Sequence, residues 1–388
     1  MDFHETVRFP LGFRCASRHV GLKAAGRDLS LFVSDVDAAA AAVFTRNQFP
    51  GAPVLLGREV IRDGVLRAVV VNSRVSNVAT GEAGLANARR MAAAAAAEVG
   101  TSPDRVLVSS TGVIGVPLPI EKIEQGLRGM AAELGSDPLV GAEGIMTTDT
   151  HPKALSLSVG AATLTLVGKG AGMIEPDMAT MLVYIFTDAA FAAAELDRML
   201  RAAVHVSFNM LSIDTDTSTS DSCVILANGR AGPVDAAAFQ ATLTAGCIEL
   251  AQRIARDGEG ATKLLRVTVR GAADERDART VAKSLVNSPL IKTMTYGADP
   301  NVGRILMAIG KCFDSAIERT TTRAAINGAV VIERGERAAF DDADVRRLLG
   351  VDTIDLEVDL GVGGAEATAF GCDLTDGYIR ENAAYYSS

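Results

Sequence analysis

In the middle of the chain three β-rich runs follow one another with no helix between them. The stretch "ALSLSVGAATLTLVGKG" at 154–170 alternates apolar and small polar residues as two paired strands do, and "MLVYIFTDA" at 181–189 is a third strand. Strands and helices therefore do not alternate strictly, and a layered α/β sandwich fits better than a doubly wound nucleotide fold. The rest of the chain agrees. Strands are expected at "LSLFVSD" (29–35), "AAAVFTRN" (40–47), "APVLLG" (52–57), "LRAVVVNS" (66–73), "SCVILANG" (222–229) and "TIDLEVDLGVG" (353–363). Helices are expected at 84–99, 120–133, 193–208, 235–258 and about 341–349, and "KLLRVTVRGAADERDARTVAKSLVNS" at 263–288 reads as a strand followed by a helix. No linker rich in Pro, Ser or Gly divides the 388 residues, and no repeat recurs at solenoid spacing.

Composition removes several function classes. With 48% hydrophobic and 22% charged residues the chain is that of a globular protein, and a net charge of −9 without a basic run argues against nucleic acid as a partner. The N-terminus, "MDFHETVRFPLGFRCAS", lacks the basic and apolar regions of an export signal, so a cytoplasmic location is expected. No membrane span is expected either. The five cysteines contain no CxxC pair and the four histidines no HxxxH or HxH spacing, which supports neither a disulfide framework nor a metal site.

Four polar constellations stand out. "DTDTSTSDS" at 214–222 is either a hydroxyl-rich active-site loop or a turn whose side chains cap the following structure. "DGEGATK" at 257–263 sets Glu259 between glycines, its carboxylate open to a ligand amine or a backbone donor; a surface turn reads the same way. "SSTGVIG" at 109–115 puts Thr111 and Gly112 after an apolar strand, where backbone N–H groups and a hydroxyl could hold an oxyanion, or where a strand simply ends. The fourth is "GKGAGMIEPDMATML" at 168–182. It matches neither the GxxxxGK[ST] nor the GxGxxG phosphate signature.

That fourth stretch ends on a threonine, Thr180, with no histidine near it in sequence. A threonine nucleophile needs a base, and its own α-amino group, which ordinarily titrates at about 7.7 to 8.0, suits neutral pH. Thr180 would then have to be an N-terminus, made by a cut between Ala179 and Thr180. Flexible residues ahead of it would let its hydroxyl attack the preceding carbonyl. "MATML" as the start of a buried strand remains the alternative from the residues alone.

The run "KGAGMIEPDMATML" resembles the self-cleavage signature of the ornithine acetyltransferase (glutamate N-acetyltransferase) family. Segments similar to that family follow in its order over nearly the whole chain: "STGVIG" at 110, "MTTDTHPK" at 146, "SIDTDTSTSD" at 212, "DGEGATKL" at 257, "VNSPLIKT" at 286, "DPNVGRI" at 299 and "GCDLTDGYIRENAAYYSS" at the C-terminus. The resemblance implies a layered α/β/β/α sandwich of the DmpA/ornithine acetyltransferase type. It also implies self-cleavage into an α-chain, 1–179, and a β-chain, 180–388, the latter with a C-terminal subdomain from about 270, the chains pairing as (αβ)₂. It implies transfer of an acetyl group from N²-acetylornithine through acetyl-Thr180 to glutamate, without a cofactor or metal, in arginine biosynthesis. By position, Thr111 and Gly112 would stabilise the oxyanion, and Thr147, Lys169, Glu259, Asn382 and Ser387 would contact substrate. Lys169 suits an α-carboxylate and Glu259 the side-chain ammonium of ornithine.

Four residues that differ from the family pattern bear on specificity. Arg74 and Ser76 stand in "NSRVSNVATG", where members usually have a small-residue glycine turn, and Val302 stands where tryptophan is usual; Ser387 replaces a common threonine. These differences keep other readings in view: use of acetyl-CoA as donor, a specialised paralogue in secondary metabolism, an N-terminal-nucleophile amidohydrolase or aminopeptidase, and an uncut paralogue that only binds an amino acid.

Overall fold

The structure, a computed structural model, describes residues 3–175 and 181–383. The expected cleavage site, Ala179 and Thr180, and the expected substrate contact Ser387 lie outside these residues. The elements in chain order are β1 (Phe13–Arg18), β2 (Leu29–Phe44), α1 (Ala52–Val60), β3 (Val65–Asn72), α2 (Gly81–Val99), β4 (Val106–Ser110), α3 (Ile120–Leu127), α4 (Pro138–Ile145), β5 (Lys153–Val159), β6 (Ala162–Lys169), β7 (Leu182–Ala189), α5 (Ala193–Val206), β8 (Ser222–Gly232) and α6 (Ala236–Arg256). They continue with β9 (Leu264–Ala272), α7 (Glu275–Val286), α8 (Pro289–Gly297), α9 (Gly303–Gly310), β10 (Arg323–Ile326), β11 (Ala329–Glu333), β12 (Glu336–Arg337), α10 (Asp342–Leu349), β13 (Thr353–Asp359), β14 (Ala365–Cys372) and α11 (Asp376–Ala383). Two compact units result. The first contains the described residues of 1–170, 176–209 and 217–250; the second contains those of 171–175, 210–216 and 251–388.

The first unit holds a mixed sheet in the order β4-β3-β2-β8-β7-β6-β5, with β1 paired to β2. Only β3–β4 and β7–β8 pair in parallel among these strands, as expected of a chain that does not alternate βα units. Alternate strand residues point to opposite faces and build two cores. Leu31, Val33, Val70 and Val108 pack under Ala88, Met91 and Ala95 of α2 and Ile123 of α3. On the other face Phe32, Val69, Val71 and Leu107 join Ala142 and Ile145 of α4 with Tyr184 and Phe186 of β7. Phe186 lies against the rings of Phe9, Phe13 and Phe32, with centroids 5.2–5.4 Å apart.

The second unit carries its own sheet, ordered β12-β11-β10-β13-β9-β14, in which only β9 and β13 run parallel. Helix α7 packs on β9 and β14, burying Ala278, Val281, Ala282, Leu285 and Val286 at helical spacing. The α/β class with two sheets is as the sequence implied. Among the described residues no helix is long and apolar enough to cross a membrane.

Three local expectations are corrected. "APVLLG" is not a strand: Pro53 starts helix α1, and the Val54 and Leu55 N–H groups bond the Gly51 carbonyl. Burial of Val54 and Leu56 overrides the β-propensity of the run. The two runs at 29–35 and 40–47 are one sixteen-residue strand, β2, whose register against β3 shifts between Val33 and Ala38. The helix expected over 120–133 stops at Leu127. Gly129 takes φ 70°, and the Arg18 guanidinium donates to the Gly126 and Arg128 carbonyls, satisfying the helix end before a short 3₁₀ turn at Met130–Glu133.

Phe186 is buried among three aromatic rings. Phe186→Ala should lower unfolding stability by about 3–5 kcal/mol in a denaturant titration, and a loss under about 1 kcal/mol would contradict this packing.

Candidate active site

Strand β4 ends at Ser110, and the turn that follows is pressed against the 73–80 loop. The Thr111 N–H donates to the Asn72 carbonyl at 3.0 Å and the Val113 N–H to the Arg74 carbonyl at 2.9 Å. Gly112, at φ 126°, lies so close to Arg74 that a Cβ there would overlap its backbone. That approach, and not flexibility, is why a glycine stands here. With the Thr111 N–H engaged, the Thr111 hydroxyl and the Gly112 N–H are the donors that this turn can offer an oxyanion among the described residues.

Two of the residues that differ from the family pattern, Arg74 and Ser76, sit against this turn. Arg74 adopts φ 85°, Asn77 φ 53° and Ala79 φ 58°, a left-handed backbone for which glycine is the unstrained choice. Ser76 compensates locally, donating both its N–H and its hydroxyl to the Val113 carbonyl. Ser73 Oγ donates to the Gly144 carbonyl near the end of α4, which joins this loop to the one that follows α4. Val302 is buried just ahead of α9 in the second unit.

Thr147, in the loop after α4, meets Lys169 at the end of β6: Lys169 Nζ is 3.4 Å from Thr147 Oγ1. Sequence reasoning missed the pair that fixes them. Asp149 is wholly buried and accepts from Lys153 Nζ at 2.7 Å, from the Gly170 N–H at 2.7 Å and from the Thr147 N–H at 2.9 Å. Burial alone would raise its carboxyl; the charges of Lys153 and Lys169 and these hydrogen bonds outweigh that and hold it below the usual carboxylate range. The signal was an Asp four residues ahead of a Lys in "MTTDTHPK", unremarkable until burial is known.

The second unit gathers another set. The Glu259 carboxylate accepts from Asn382 Nδ2 at 2.7 Å, and its N–H donates to the Ala171 carbonyl. Gly172 lies so close to that carboxylate that a Cβ would collide with it. "DTDTSTSDS" does cap backbone, but that of a segment forty residues upstream. Asp214 accepts from the Met173 and Ile174 N–H groups at 2.6 and 2.7 Å, and the Asp216 carbonyl accepts from the Glu175 N–H. Glu175 in turn meets Asn287 Nδ2 at 2.8 Å and Lys283 Nζ at 3.3 Å. Thr217 and Ser218, in the first unit, give their carbonyls to Asn47 and Thr45.

Both flanks of residues 176–180 are therefore fixed. Upstream, Ala171, Met173, Ile174 and Glu175 are hydrogen-bonded within the second unit. Downstream, the Met181 carbonyl accepts from the Ser222 N–H, and β7 begins at Leu182, directly opposite Lys169 in the antiparallel β6–β7 pair.

Comparison with known proteins places this two-sheet α/β chain among acyltransferases. The ArgJ family profile matches residues 14–387, and the chain belongs to the ArgJ family. The arginine biosynthesis bifunctional protein ArgJ of Rhodococcoides fascians is 46% identical over 97% of this chain and 94% of its own length. The glutamate N-acetyltransferase Oat2 of Streptomyces clavuligerus is 46% identical over 98% of both chains. In the crystal structure of the arginine biosynthesis bifunctional protein ArgJ from Bacillus halodurans, one chain is 40% identical with a TM-score of 0.51; the match covers 53% of this chain and 100% of that one.

Asp149→Asn removes the charge opposite Lys153 and should cost about 3–5 kcal/mol at neutral pH. A carboxylate with a depressed folded pKa stabilises above its unfolded value and loses that contribution as pH falls through the folded one. The difference between wild type and variant, followed by denaturant unfolding from pH 7 downward, should shrink below about pH 4. A difference that stays constant across that range would be inconsistent with a charged Asp149.

Proposed function

We propose that this chain transfers an acetyl group from N²-acetylornithine to glutamate through an acetyl-Thr180 intermediate, giving ornithine and N-acetylglutamate. The observation that carries the reading is the match to the ArgJ family over 14–387. The chemistry of the named residues fits each step. Self-cleavage between Ala179 and Thr180 frees an α-amine, which takes the proton from the Thr180 hydroxyl as that oxygen attacks the acetyl carbonyl. The Thr111 hydroxyl and the Gly112 N–H receive the developing oxyanion. The ornithine amine leaves with the proton, and the glutamate amine attacks the ester in the reverse sequence.

Substrate contacts follow from charge. Lys169, with Thr147 beside it, pairs with the α-carboxylate common to donor and acceptor. Glu259, steadied by Asn382, pairs with the side-chain ammonium of ornithine. Ser387 would complete the pocket. The cut leaves the two chains joined, since β6 from 1–179 and β7 from 180–388 share an antiparallel ladder from Leu164–Thr187 to Lys169–Leu182. A solved relative matched in full by 53% of this chain fits a mature enzyme of two chains. An (αβ)₂ assembly and a cytoplasmic location complete the reading, and acetyl-CoA as a second donor is the variant to test beside it.

A denaturing gel with mass spectrometry of the purified protein tests the cut: two fragments meeting at Ala179 and Thr180 are expected, and a single uncut chain would contradict it. Thr180→Ala should give only the precursor. Acetyl transfer from N²-acetylornithine to glutamate should then fall as pH drops below about 7.7, where the α-amine is protonated. Acetate release that is indifferent to glutamate would point to a hydrolase instead.

A further inference from the structure

Asp214 has no part in the chemistry described above, yet four donors converge on its carboxylate. Oδ2 accepts from the Met173 N–H at 2.6 Å and stands 3.4 Å from the Tyr378 hydroxyl; Oδ1 accepts from the Ile174 N–H at 2.7 Å and the Asp216 N–H at 3.3 Å. Burial raises its carboxyl above the usual range, so these bonds hold a charge that its surroundings disfavour. Met173, whose N–H it takes, is a non-glycine residue at φ 53°. The residue before it, Gly172, is the one that touches the Glu259 carboxylate, and Ala171 accepts the Glu259 N–H. Tyr378 lies on α11, the helix that supplies Asn382 to Glu259.

We propose that Asp214 is a positioning residue for donor binding: by holding Met173 left-handed and Ile174 in register, it sets the Gly172 backbone against Glu259 and so aims that carboxylate at the donor's ammonium. The role persists after self-cleavage, because 171–175 then belongs to the C-terminal tail of the α-chain. This rests on the acetyl-transfer reading, in which Glu259 meets the donor side chain. Two carboxylates thus divide the work. Glu259 faces substrate, and Asp214 faces the backbone that fixes Glu259.

The test uses the self-cleaved enzyme and three variants, Asp214→Asn, Glu259→Gln and Asp214→Asn combined with Met173→Gly. Asp214→Asn should raise the KM for N²-acetylornithine about tenfold while changing kcat less than about threefold. Met173→Gly, which gives a left-handed backbone without strain, should return the double variant to within about threefold of wild type. A lesion that only loosened the fold would not be rescued by adding a glycine. If Glu259→Gln raises the donor KM and Asp214→Asn does not, or if the glycine fails to rescue, the proposal is overturned. If Glu259→Gln leaves the donor KM unchanged, the reading of Glu259 is what fails. Amide hydrogen exchange, which needs no substrate, then decides on Asp214: faster exchange in peptides covering 171–175 supports its positioning role, and unchanged exchange overturns it.

Discussion

The antiparallel pairing of β6 with β7 is the constraint on which the site depends. It sets Lys169 opposite Leu182, so that everything between them is an excursion whose two ends are neighbours on one sheet. A bond inside such an excursion can be cut without separating the flanks, because the sheet and not the peptide carries the connection. The same pairing keeps Lys169 at a strand end beside Thr147. The proposed nucleophile, made by cleavage, requires a chain that is broken once and remains folded, and this ladder would join the flanks of the cut.

On either side of residues 176–180, buried or half-buried carboxylates act on backbone. Asp149 gathers the Thr147 and Gly170 N–H groups with the Lys153 ammonium. Asp214 gathers those of Met173 and Ile174. Both satisfy donors that irregular loops leave without ladder partners, and each does so at a cost in desolvation. The result is rigidity where no helix or strand provides it. Loops that hold a reacting geometry need such internal bonds, since main-chain position sets where Gly112 and Gly172 stand.

How much of this was legible in the sequence follows from what each feature depends on. Local periodicity exposed α2, α5, α6, α7 and the β5–β6 hairpin, because their burial repeats at helical or strand spacing. It misread 52–57, where Pro53 and tertiary burial outweigh the strand-like look of a short apolar run, and it ran α3 through Gly129, where an arginine from β1 ends the helix. Thr111, Gly112, Thr147, Lys169 and Glu259 are candidates because they fall in runs that resemble a known family. Asp149, Lys153 and Asp214 were not assigned these roles, since their partners are 21 to 41 residues away or their pairing counts only once buried. The unusual residues Arg74 and Ser76 were visible as departures; that they press on the Gly112 turn was not.

The central claim is that Thr180 carries the acetyl group between the two amines. Mass spectrometry of the self-cleaved enzyme, quenched after mixing with N²-acetylornithine in the absence of glutamate, tests it directly. The account predicts one added acetyl group, about 42 Da, on the peptide that begins at Thr180, discharged when glutamate is added. An unmodified Thr180 during turnover, or an acetyl group on another residue that glutamate removes at the rate of transfer, would contradict it.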